Sequence, residues 1–99
     1  MTKQELVAKM QENQAWVPGK TVKLDFGDEG LILLDGAANQ VSENDSAADT
    51  TIKVSWDDWQ KMAAGELDGM TAFMTGKLKI EGDMSNAMQL QGVLAKLRG

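Results

Sequence analysis

Met84, Met88 and Gln91 stand four and three residues apart near the end of this chain, a spacing that sets them on one side of a helix. Thioethers beside a carboxamide make poor acids, bases or nucleophiles. They suit contact with apolar matter that carries one polar group, because methionine is unbranched, polarisable and able to fit irregular shapes. Five of the seven methionines fall between Met62 and Met88, so the segments just before that helix add to the same surface. The composition also removes the commonest catalytic parts. The chain has no cysteine and no histidine, which excludes disulfides, thiolate nucleophiles and imidazole bases, and with them the usual zinc ligands. An enzyme built from this chain would have to use carboxylates, lysines or hydroxyls. No pair of acids converges on one predicted surface to suggest that. No catalytic residue, metal or cofactor is therefore assigned.

The elements that must position the methionine surface are readable from pattern. Thr2 and Glu5 form a capping-box pair ahead of Leu6, Val7 and Met10, which predicts a first helix ending before Pro18-Gly19. Val22, Leu24 and Phe26 alternate with polar residues as a half-buried strand, and the run Leu31 to Leu34 predicts a second strand covered on both faces. A third strand is placed at Asn39 to Glu43 and a fourth at Thr50 to Ser55, marked by Ile52 and Val54. Ser55 caps a short helix carrying Trp56, Trp59 and Met62, and a second short helix spans roughly Met70 to Met74. Lys77 to Glu81 is the fifth strand, with Lys77 and Lys79 on its outer side. Asp83 then caps a final helix from Met84 to about Leu97. Strands grouped together, in the order α-β-β-β-β-α-α-β-α, predict an α+β fold with a five-stranded, largely antiparallel sheet. Residues 1–99 are read as a single domain, since no linker, repeat or low-complexity tract divides them.

Stepping 100° per residue along the final helix groups Met84, Ala87, Met88 and Gln91 in one sector and Leu90, Val93, Leu94 and Leu97 in the next. The combined apolar arc is roughly 220°, about twice what a helix resting on a sheet requires. The expectation is a helix covered on two sides, the leucines by the sheet and the methionines by other helices or a ligand. Gln91 would then be a buried carboxamide in need of partners, either backbone groups or the polar end of a ligand. Methionine stripes at this spacing also serve as plain core filling, and spacing alone leaves both readings open.

The stretch "AFMTGKLKIEGDMSNAMQLQ", residues 72–91, resembles the C-terminal signature of sterol carrier protein 2 domains. Phe73, Met74, Gly76, Lys77, Leu78, Lys79, Ile80, Gly82, Met84, Ala87, Met88, Leu90 and Gln91 fit that pattern directly. Earlier segments, "GKTVKLDF", "GLILLDG" and "TTIKVSWDDWQKMAAGELDG", follow in the family's order. The resemblance implies helices on one side of the sheet with an apolar tunnel between them. It further implies a non-catalytic carrier of fatty acids, fatty acyl-CoAs, phospholipids or sterol-like molecules. On that reading the lipid-binding residues are Phe73, Met74, Met84, Met88 and Gln91, joined by Trp59, Met62 and Met70. The alternative is an interaction module of the same fold whose cavity is filled by side chains.

Two departures reduce positive charge relative to the family pattern, at Glu81 and Gln89, which weakens the case for gripping a CoA phosphate. The net charge of −5 argues against nucleic acid as a partner and leaves only transient membrane contact in view. The absence of a long apolar run or a leader-like N-terminus predicts a cytoplasmic protein. Other motif matches fail on their neighbours. Gly76-Lys77 lacks the first glycine and the hydroxyl of a phosphate loop. Asp25-Phe26-Gly27 reads as a turn, and Glu43, Asp45 and Asp49 lack the spacing of a calcium loop.

Overall fold

A computed structural model of the protein describes residues 2–97, with every side chain except those of residues 63, 91 and 94–97. The described residues form α1 (Lys3–Glu12), β1 (Thr21–Asp25), β2 (Leu31–Asp35), β3 (Gln40–Ser42), β4 (Thr50–Val54), α2 (Trp56–Ala63), α3 (Gly69–Met74), β5 (Leu78–Gly82) and α4 (Met84–Leu97). The expected element order holds, and the elements agree in place to within a residue or two. The predicted turn after β1 is a 3-10 turn at Gly27–Glu29. Helix starts are fixed by short polar side chains that accept from otherwise unpaired backbone N–H groups. Thr2 Oγ1 accepts from Glu5, Ser55 Oγ from Asp58, and Asp68 Oδ2 from Met70 and Thr71.

The sheet runs β3-β2-β1-β4-β5. β1 pairs antiparallel with β2 and parallel with β4, and the two edge strands pair antiparallel with their neighbours. The sheet is thus mixed and largely antiparallel, as the grouping of strands implied. One face carries Val22, Leu24, Ile32, Leu34, Val41, Ile52, Val54 and Leu78 into a core shared with Leu6 and Met10 of α1, Trp59 of α2, Ala72 of α3, and Ala87 and Leu90 of α4. All four helices therefore lie on that face. Residues 43–49 cross the opposite face on the way from β3 to β4, where Lys23 Nζ meets Asp45 Oδ1 at 2.8 Å and Thr21 N–H donates to Asp49 Oδ2 at 3.0 Å. Leu33 is buried although it points away from the helices, so β2 is covered on both faces as expected.

The corner from β5 into α4 fixes where the last helix lies. Gly82 adopts φ +95°, and a Cβ there would strike the Asp49 carbonyl oxygen, so only glycine lets β5 approach the start of β4 this closely. Asp83 N–H donates to the Asp49 carbonyl at 3.3 Å, and the Asp83 carbonyl accepts from Thr50 Oγ1 at 2.7 Å. The Asp83 carboxylate caps α4, Oδ1 accepting from Ser85 N at 2.9 Å and from Ser85 Oγ at 2.7 Å. These two bonds hold its pKa below the ordinary aspartate value, the Ser85 hydroxyl contributing most.

Candidate functional site

The final helix corrects one expectation. Ala87 and Leu90 are buried with Asn86, and Val93 packs against the core, but Met84 is 47% exposed and Met88 63%. Among the described side chains α4 is covered on one side, not two. The core takes up Leu90 and Val93 together with Ala87, while Met84 and Met88 face outward. The reason lies in the neighbouring helix. α3 has six residues and meets β5 through Ala72, which is fully buried. Met70, Phe73 and Met74, spaced to share one helix face, lie opposite that alanine and are exposed at 53%, 37% and 78%. A helix that turns its smallest apolar residue inward and its largest outward cannot also roof the methionines of α4.

The eight residues expected to bind lipid therefore divide. Met70, Phe73, Met74, Met84 and Met88 form an exposed set on α3 and α4, both of which pack against β5. Trp59 is buried in the core and Met62 is part-buried against it. The side chain of Gln91 lies outside the described residues. The carboxamide that sequence reasoning missed is Asn86, buried on the sheet side of α4, where its Nδ2 donates to Thr50 Oγ1 at 3.2 Å. Thr50 carried the signal. It shares the core face of β4 with Ile52 and Val54, and a buried hydroxyl requires a partner.

Trp59 stacks in a tilted geometry on Phe26, centroids 5.6 Å apart, and Trp56 meets the same ring edge-on at 5.0 Å. Phe26 also walls an open cleft of about 510 Å³ at the end of β1 and β4, lined further by Asp25, Lys53, Val54, Lys77 and Lys79. Lys53 of this lining pairs with Glu81 at 3.3 Å. The described residues hold no group of three or more acidic side chains arranged to bind a metal, and no described helix is long and apolar enough to cross a membrane. The arrangement offers apolar contact.

Comparison with known proteins agrees with this geometry. The family model described as the SCP-2 sterol transfer family matches residues 3–95. Hydroxysteroid dehydrogenase-like protein 2 of Bos taurus is 40% identical over 79 residues, which is 76% of this chain and 19% of that protein. Sterol carrier protein 2 of Bos taurus is 37% identical over 70 residues, or 68% of this chain and 13% of that protein. The chain thus spans about a fifth or less of the length of these relatives. Among solved structures, sterol carrier protein-2 of Aedes aegypti in complex with palmitate superposes with a TM-score of 0.75 at 19% identity, covering 92% of each chain.

Proposed function

The chain belongs to the SCP-2 sterol transfer family, and from that premise we propose that it is a non-catalytic lipid carrier. Its ligands would be fatty acids, fatty acyl-CoAs, phospholipids or sterol-like molecules, held in an apolar tunnel between sheet and helices. The observation that carries this reading is the inverted α3 helix, Ala72 inward and Met70, Phe73 and Met74 outward. Soluble folds seldom leave such a face uncovered, and large exposed apolar patches mark binding surfaces. An acyl chain laid between the α3 and α4 methionines would gain about 25 cal/mol for each Å² of apolar surface removed from water. Phe73, Met74, Met84 and Met88 would touch it first, with Met70 beside them and Met62 and Trp59 deeper. The Aedes protein solved with palmitate lends the fatty acid its place among the ligands.

The same exposed face supports a brief contact with a membrane interface during exchange, driven by burial because the net charge of −5 gives no general attraction to anionic lipid. A second reading has an observation of its own. Met74 at 78% exposed is as suited to a flat protein partner as to a ligand, so an interaction module of this fold is the alternative. Native mass spectrometry of delipidated protein incubated with palmitate separates the two. A carrier takes up one lipid per chain and then transfers it between vesicles. Failure to bind any of the four lipid classes would leave the interaction module standing.

A further inference from the structure

Trp59 is 4% exposed, and its indole Nε1–H is buried without an acceptor among the described residues. Buried donors are nearly always paired, and an orphan costs the folded state on the order of 1–3 kcal/mol. Among the described residues nothing relieves it. The described core around Trp59 is built of apolar side chains, Phe26, Val54, Ala72, Leu78 and Leu90 among them. The buried polar side chains described in the structure are Thr50 and Asn86. These bond to one another at 3.2 Å, and Thr50 also donates to the Asp83 carbonyl at 2.7 Å. Phe26, on which the indole packs, also walls the open cleft.

We propose that Trp59 is the specificity-determining donor of the lipid site, and that it selects a neutral carbonyl oxygen, such as that of an ester-type lipid. The inference rests on the carrier reading and narrows it. An ionised carboxylate is a poor occupant, because burying it against one neutral N–H, with no buried cation described, leaves most of its desolvation uncompensated. A hydroxyl satisfies the indole but brings a donor of its own that finds no free acceptor among the described side chains. A carbonyl accepts the one hydrogen bond on offer and adds no donor.

The test titrates methyl palmitate, palmitate and a carbonyl-free hydrocarbon of matched length into the delipidated protein. Affinity is read by calorimetry and the three tryptophan indole resonances by heteronuclear NMR, assigned with single Trp→Phe variants. Methyl palmitate should bind about fivefold tighter than the hydrocarbon, the value of one neutral hydrogen bond, and tighter than palmitate. It should also move the Trp59 indole proton downfield while the hydrocarbon does not. Trp59→Phe should abolish the preference for the ester over the hydrocarbon. If that variant does not fold, the wild-type indole shift still decides. Equal affinities with no indole shift overturn the Trp59 assignment and leave the carrier reading intact. The same holds if palmitate binds as tightly as its ester. Binding of none of the three overturns both.

Discussion

α2 and α3 follow each other in the chain and treat their large side chains in opposite ways. α2 sends Trp59 into the core against Phe26, whereas α3 sends Ala72 in and leaves Met70, Phe73 and Met74 outside. Both helices are capped by a side chain one residue before their start, Ser55 and Asp68, so the contrast does not come from how they begin. It comes from which residue type occupies the inward position. One helix spends its apolar area on the fold. The other leaves it exposed, within about twenty residues of sequence.

The largest effect should come from breaking the inward side. Trp59→Ala opens a cavity in the core and should lower the unfolding free energy by roughly 3–5 kcal/mol in denaturant titration. The value should fall at the low end of that range, because the indole N–H is already unpaired in the folded protein. A loss below about 1 kcal/mol, within the reach of ordinary surface substitutions, would show that Trp59 is not part of the packed core and would dissolve the contrast with α3.

Met70→Ser and Met74→Ser probe the outward side. Each removes apolar surface that is already more than half exposed, so stability should change by no more than about 0.5 kcal/mol. Uptake of a fluorescent fatty acid should weaken several-fold for each, in proportion to the methionine area a ligand would cover. A loss of stability comparable to that of Trp59→Ala, with lipid uptake intact, would make α3 an ordinary structural helix.

Much of this division was legible in the sequence. The strand alternation, the capping residues and the grouping of strands led to the element order and a largely antiparallel sheet, because local patterns and short-range hydrogen bonds decide them; the parallel pairing of β1 with β4 came from the structure. The outward turn of α3 was not legible. Helical spacing identifies Met70, Phe73 and Met74 as one face, but spacing does not say whether another element will cover that face. The expected two-sided cover of α4 failed for the same reason. The wide apolar arc was read correctly and its roof was assumed. The buried carboxamide shows the limit from the other direction. Gln91 drew notice because it sat among methionines, while Asn86, next to the leucine sector, was passed over. Only the pairing of β4 with β5, which brings Thr50 opposite Gly82 beside the start of α4, shows that Asn86 has a hydroxyl to meet.

The smallest effect concerns the corner that holds the α4 methionines in place. Asp83 caps the helix through Ser85, and those bonds favour the charged carboxylate and lower its pKa. A carboxylate with a depressed folded pKa contributes stability that is fully present above its unfolded value, near pH 4, and is lost as pH falls through the folded value. The unfolded chain binds the proton first, so acid favours unfolding over that window. Asp83→Asn should remove this part of the pH dependence, and Ser85→Ala should raise the Asp83 pKa towards the ordinary range by deleting its largest cause. Because the carboxylate is fully exposed, the effect on global stability will be small, and carboxyl chemical shifts followed by NMR through the acid range are the sensitive measure. The local consequence is larger than the global one. Asp83 joins β5 to α4 at a corner already tied to Asp49 and Thr50, so protonation should first loosen the opening turn of α4, where Met84 stands. Amide exchange at Ser85 and Asn86, corrected for its intrinsic pH dependence, should therefore quicken as pH falls through the lowered Asp83 pKa, before the core amides of β1 and β2 respond. Uniform acceleration across sheet and helix would mean that the methionine face has no local freedom of its own and is as fixed as the core beneath it.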